Sequence, residues 1–432
     1  MDLTPKVVLQ GMAGAVLSLA IAAGAQAPST PPATTTDSSA TPAAAPAAAP
    51  AASPTWSVGT IDFSGYVDGY FSYNKNRPAD QLNDNYNFDD EEQFNLEAAK
   101  VTLNHDPDPI GAHVDLIFGQ TNTLIQSNGL GVNYIEQAYL SVKPPKAKGF
   151  EVDFGQFVTS AGDEVIETMN NWSYSHGILF TDAIPYYHFG LRTSIPVTKT
   201  WTAGFQVVNG WNNVTDNNGG VTFGITSSLV KPKYTWNTNY YVGPENSGIT
   251  APTNYAYYDY YYNIGTQRGY RNLIDTTLLL TPSAKFNWYV NYDYTQNHTP
   301  SFPACSECEL NATKETSRHV QGIATSARGQ ISANSALVGR YEYFADQGPN
   351  YVWYGPYTAI GTGTKQDLQE FTGTYEYKWP EGLLLRAEYR YDWSDHAVFN
   401  YGNDEAINDG NPTAKSQQTL TLGMIAFFGP KR

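Results

Sequence analysis

From about residue 60 onward the chain is written in runs of roughly 10 residues in which apolar and polar side chains take turns. A β-strand sends successive side chains to opposite faces, so each run carries one apolar and one polar face. In the run 383–393, Leu383, Leu385, Ala387, Tyr389, Tyr391 and Trp393 share one face, and Arg386, Glu388, Arg390 and Asp392 share the other. A basic side chain facing lipid at the bilayer midplane costs about 2–4 kcal/mol, so confining four charges to one face suits a strand with lipid on one side and water on the other. The repetition of this pattern predicts an all-β fold, a transmembrane antiparallel up-and-down β-barrel.

The alternation predicts strands over 60–74, 94–104, 112–120, 134–142, 150–157, 187–195, 201–209 and 221–230. A second set follows over 234–242, 270–280, 285–296, 318–327, 335–346, 367–378, 383–393 and 416–428. The total is about sixteen, the even number a bacterial barrel requires. Short connections lie at Pro107 and Pro109, Pro144 and Pro145, Pro196, Pro232, Pro282, Gly329 and Pro380. They alternate with long ones at 75–93, 121–133, 158–186, 210–220, 243–269, 297–317, 347–366 and 394–415. Seven short turns and eight long outer loops are what sixteen strands with both ends in the periplasm demand. The aromatic stretch from Tyr255 to Tyr262 reads either as a further strand or as a loop, which leaves the count open by two.

The rest of the chain sets its destination. Lys6, the apolar stretch from Val7 to Ala23 and the small residues Ala25, Gln26 and Ala27 read as a signal peptide over 1–27. Residues 28–55 are nearly all Pro, Ala, Ser and Thr, a composition that buries no core, and are expected as a disordered linker before a barrel over 56–432. Beyond the signal, no segment reaches the 18 or more apolar residues a spanning helix needs.

Charge and cysteine narrow the function. The formal charge of −16 excludes nucleic acid as a partner, since no basic patch could neutralise phosphates. Short turns carry Lys143, Lys146, Lys148, Lys199, Lys231 and Lys233. The first long loop carries Asp80, Asp84, Asp89, Asp90, Glu91 and Glu92, predicting an acidic outer mouth. Cys305 and Cys308, the only cysteines, read as a local disulfide at a loop tip in an exported protein. No nucleophile elbow, zinc motif, phosphate loop or dinucleotide fingerprint is present, so neither catalysis, metal nor cofactor is expected.

Aromatic residues where strands meet loops, among them Tyr73, Phe94, Tyr134, Phe157, Tyr187, Trp201, Trp211, Tyr234, Trp236, Trp379 and Trp393, match the interfacial girdles of membrane barrels. The longest loop, 158–186, is the third outer one and the best functional candidate, because long loops in compact domains usually have a function. Folded inward, it would narrow a pore. Asp163, Glu164 and Glu167 would then supply an acidic side, with a short helical turn expected over 163–169. Arg192, Arg340, Arg386 and Arg390, with Glu388 among them, alternate onto the predicted lumenal face and would supply the opposing side of a transverse field.

Several of these residues carry a resemblance. Gly65 to Tyr70 resembles the opening strand of the OmpL-like β-barrel porins of bacterial outer membranes, and Ile135 to Leu140 is similar to their fourth strand. Phe154, Gly155, Gln156 and Phe157, with Gly162 and Glu167, resemble the approach to that family's long loop. Asn170, Ser173, Tyr174, Pro185, Tyr186, His188 and Gly190 resemble its exit, and Asn209, Gly210 and Trp211 its next loop. The match is densest over 60–212. It implies a Gram-negative outer-membrane channel of poorly defined substrate, in contact with lipid; the chain itself reads as passing small hydrophilic solutes or ions by diffusion, with its net acidic character favouring cations mildly. Barrels of this size often associate as homotrimers, though no subunit face is marked. The rival readings are a barrel that only displays binding loops, as an adhesin would, and a secreted β-propeller, which would need a repeat the chain lacks.

Overall fold

The computed structural model describes residues 56–58, 60–79, 81, 83, 93–125, 134–216, 219–245, 270–300, 315–346, 365–379, 382–402 and 412–428. Among the described residues seventeen strands run in chain order. They are β1 (Trp56–Val58), β2 (Ile61–Asn74), β3 (Gln93–His105), β4 (Ile110–Phe118), β5 (Ile135–Val142), β6 (Glu151–Val158), β7 (Tyr187–Pro196), β8 (Trp201–Val208) and β9 (Thr222–Lys231). There follow β10 (Tyr234–Pro244), β11 (Tyr270–Ser283), β12 (Phe286–Pro300), β13 (Glu315–Gln330), β14 (Ser335–Asp346), β15 (Gln366–Trp379), β16 (Leu383–Ser394) and β17 (Ser416–Phe428). From β2 to β17 each strand pairs antiparallel with the next, and β17 returns to β2, so sixteen strands close into a barrel. Closure pairs each strand on both sides, the condition for crossing a medium that offers no hydrogen bonds.

The seam is tightly fitted. Thr419 to Phe428 of β17 pairs with Asn74 to Gly65 of β2. A Cβ at Gly65 would lie 2.3 Å from the Phe428 ring and 2.4 Å from the Lys100 carbonyl, so only glycine lets this ring settle on the seam. Where β17 ends, the short β1 continues the same edge, pairing Trp56 with Phe63.

Each strand predicted from alternation is present, with ends that differ by four residues or fewer. The faces follow the same rule. On β17, Leu420, Leu422 and Met424 point outward and are more than half exposed, while Gln417, Thr419 and Thr421 are buried inside. Phe94, Tyr134, Trp201 and Trp379 also face outward, as girdle residues should. Phe157 and Tyr187 do not, because both are buried. Phe157 has the same parity as Glu151 and Asp153, so it turns into the lumen, where its ring centroid lies 4.5 Å from the Arg192 guanidinium carbon.

The signal peptide and linker, the acidic cluster from Asp84 to Glu92, the stretch from Tyr255 to Tyr262, and Cys305 with Cys308 lie outside the described residues.

Candidate functional site

The connection 159–186 between β6 and β7 does not leave the barrel. It crosses the interior as a strap, and its residues are among the most buried of the chain: Ile178, Tyr174, His176 and Ala183 are each at most 1% exposed. Its apolar side chains, including Ile166, Trp172, Leu179 and Phe180, form one cluster with Tyr70, Tyr289, Val320, Phe344 and Leu384 of the wall. Trp172 packs on Tyr289 with ring centroids 5.0 Å apart. Space is made on the wall as well, for a Cβ at Gly423 would stand 2.2 Å from the Tyr174 ring.

Irregular backbone inside a barrel leaves amides and carbonyls that must find partners. Charged wall side chains provide them. Arg386 of β16 donates through Nη1 to the carbonyls of Thr168 (2.6 Å) and Ser173 (3.1 Å), and through Nη2 to Asn171. Arg390 donates to the His176 carbonyl at 2.5 Å, and Arg340 of β14 to that of Ser175 at 2.7 Å. Carboxylates take the N–H groups. Glu388 accepts from Tyr174 (2.6 Å) and Ser175 (3.0 Å), and Glu342 accepts from Leu179 at 3.0 Å. That last bond satisfies one of the open N–H groups at the start of the short helix Ile178–Asp182, whose N-cap Gly177 has no side chain to do so.

This arrangement explains where the strap's secondary structure falls. The expected helical turn over 163–169 is replaced by a 3₁₀ turn at Thr168–Asn170, with the five-residue helix further on. Over 163–167 the backbone is held by side chains instead: Val165 donates to Asn171 Oδ1 at 2.9 Å, and the Gly177 amide donates to Glu164 Oε2 at 2.6 Å.

Each residue singled out in the sequence can now be located. Arg192 of β7 is paired with Asp153 of β6 at 2.7 Å and lies apart from the strap's arginine contacts. Arg340 contacts Glu164 of the strap and, through Nε, Glu370 of β15 at 2.8 Å. Arg386 is paired with Glu376 at 2.9 Å, and Arg390 with Asp392 at 2.8 Å. Acidic strap and basic wall therefore meet in direct contact at Glu164 and Arg340, where the sequence reading set them across a gap. Opposite charges brought together in a buried space lower their energy by pairing, which outweighs standing apart as two faces.

Asp163 is held differently. Burial raises its carboxyl to about 8, with the neighbouring Glu164 charge adding to the rise. Asp182 is also raised to about 8, by burial and then by the charge of Asp346. Burial lowers His176 below the usual imidazole value, and its Nε2 lies 2.9 Å from the Val165 carbonyl.

The sequence reading missed the strap's second anchor. Glu167 reaches the ammonium of Lys100 on β3, which also contacts Asp115 of β4 at 2.9 Å and Glu136 of β5 at 2.5 Å. Asp68 of β2 accepts from the Tyr174 hydroxyl at 2.9 Å and from Thr168. The available signal was parity: Lys100, Asp68, Asp115 and Glu136 all occupy the lumenal phase of their strands. Asp115, Glu136 and Glu167 bring one oxygen each within 4.8 Å of one another, spacing that suits a cation, and the Lys100 ammonium lies among them.

A closed antiparallel barrel with an apolar outside, a charged lumen and an inward connection is the architecture of a β-barrel porin. The chain belongs to the family described as "Putative beta-barrel porin-2, OmpL-like", whose model matches residues 60–428. Solved structures share the fold at low identity. OmpT of Vibrio cholerae is 12% identical with a TM-score of 0.53, over 87% of this chain and 100% of that one. The outer-membrane channel DcaP of Acinetobacter baumannii is 10% identical with a TM-score of 0.53, over 85% and 97%. The anion-selective porin of Comamonas acidovorans is 9% identical with a TM-score of 0.52, over 85% and 99%. No curated protein sequence matches the chain.

Proposed function

We propose that the protein is an outer-membrane channel through which small hydrophilic solutes and ions diffuse, its lumen narrowed by the third outer loop, 158–186. The observation that carries this reading is the seating of the strap inside the barrel by Arg340, Arg386, Arg390, Glu342 and Glu388. At sixteen strands a barrel leaves an aqueous channel unless something fills it.

The charge of the lumen supports a cation preference. Inward-facing cations among the described residues include Lys100, Arg192, Arg271, Arg328, Arg340, Arg386 and Arg390. The buried carboxylates of Asp68, Asp115, Glu136, Asp153, Asp275, Asp293, Glu342, Glu370, Glu376, Glu388 and Asp392 outnumber them. Screening beyond about 8 Å at physiological salt keeps the preference mild. Assembly as a homotrimer belongs to the same proposal, supported by the trimer form of the OmpT neighbour.

Planar-bilayer recording of the purified protein tests the reading. Open steps with a reversal potential favouring cations in a salt gradient, and larger steps after deletion of 163–176, are expected. Stable insertion without steps would leave the barrel as a scaffold for displayed loops.

A further inference from the structure

We propose that Lys100 is a tethered cation that keys the strap to the barrel wall, seated in a three-carboxylate cage that would otherwise take a divalent metal ion. The inference deepens the channel reading above, because it names the contact that fixes the strap to β3.

The cage draws on four pieces of chain. Lys100 stands on β3, Asp115 on β4, Glu136 on β5 and Glu167 on the strap. Their burial is nearly complete: the side chains of Lys100, Asp115 and Glu136 are 6%, 2% and 0% exposed. The three carboxylates gather at a spacing no greater than 4.8 Å, and the ammonium contacts every one. Like charges so close repel strongly in a buried site unless a cation stands among them. Lys100 is that cation, and only through it does Glu167 join the wall acids. A second observation shows ligand capacity the ammonium leaves unused: Glu136 Oε1 is buried and has no hydrogen-bond donor among the described residues. One ammonium thus serves three carboxylates. Hard oxygen ligands in this number suit calcium or a lanthanide once the ammonium is gone.

The test uses the whole purified barrel with three variants. Lys100→Met removes the tethered cation and leaves the cage, so Tb³⁺ added alone should show tyrosine-sensitised luminescence. Tyr66, the register partner of Lys100 on β2, is placed to sensitise it. Wild type should show none, since the ammonium fills the cage, and Lys100→Met/Glu167→Gln should lose the signal with its third ligand. In bilayers, Lys100→Met should raise the frequency of spontaneous current transitions at least about tenfold, as expected when a buried charge loses its partner. Millimolar Ca²⁺ should return it to the wild-type level. Glu167→Gln should be as noisy and stay so in Ca²⁺. Luminescence in wild type equal to that of Lys100→Met, or a Glu167→Gln channel as quiet as wild type, would overturn the proposal. The luminescence arm decides the cage without conduction, whereas a wild type that never conducts overturns the channel reading alone.

Discussion

Arg340 Nη1 donates to Glu164 Oε1 across 176 positions of chain, a bond between a wall strand and the strap. The same guanidinium holds Glu370 at 2.8 Å and stands 3.7 Å from Glu342, so one cation serves three buried carboxylates. Replacing it by Arg340→Gln strands these charges, and breaking such a buried pair costs about 3–5 kcal/mol. Thermal melting in detergent should drop accordingly. Adding Glu164→Gln should recover part of the loss, because one of the stranded charges is then gone. An unchanged melting curve for the single variant would contradict the assignment.

Asp182 gives the strap a pH dependence. Its folded value, about 8, is above the ordinary aspartate value of 3.8. Between these limits the folded form holds a proton that the unfolded form has released, so the stability Asp182 contributes is fully present below about pH 4 and is lost as pH rises towards 8. Melting temperatures measured from pH 4 to 9 should decline over that window. The Asp182→Asn variant, which cannot ionise there, should decline less.

Gly423 faces the Tyr174 ring at a distance that leaves no room for a methyl group. Gly423→Ala should push the ring away and break its hydroxyl bond to Asp68. Overpacking of this kind costs about 1–3 kcal/mol. The effect is specific to the pair: in a Tyr174→Ala background the glycine change should lower the melting temperature little further, a non-additivity that a double-mutant cycle would measure.

Leu422 lies at the middle of β17 with 61% of its surface exposed, on the outward face. Leu422→Arg should reduce folding into lipid vesicles by about 2–4 kcal/mol, whereas Ile110→Arg, at the first position of β4, should cost about 0–1 kcal/mol. Equal folding yields for the two would argue against a lipid-facing belt at that height.

The strands were legible because their signal is local. Leu383 to Trp393 declares its two faces without reference to any other part of the chain, and so does each run like it. The strap was not legible in that way. Its charged residues stood out, but whether Glu164 confronts Arg340 across water or bonds to it depends on the paths of two segments far apart in sequence. Its backbone is set by side chains, those of Asn171 and Glu164 near its start and of Arg386, Glu388 and Arg390 further on, rather than by its own propensity, so the helical turn expected over 163–169 gave way. Lys100 escaped notice for a related reason: its parity placed it in the lumen, but parity cannot tell a solvated lysine from one enclosed by carboxylates. Phe157 shows the converse, an aromatic whose nearness to a loop suggested a girdle while its parity with Asp153 already sent it inward.

The bonds between the strap and β16 join residues 213 to 218 positions apart. Contacts so distant in sequence form late, after much of the chain has been ordered. The amides of Tyr174 and Ser175 meet Glu388, and the carbonyls of Thr168 and Ser173 meet Arg386, only once β16 is in place beside β15, and β16 is next to last around the ring. The seating of the strap is therefore completed near the end of assembly, in the same stretch of events that brings Phe428 onto Gly65. A barrel halted before that point would hold its strap by β2, β3 and β14 but not by β16, and sealing the wall and completing the strap's seat are one step for this chain.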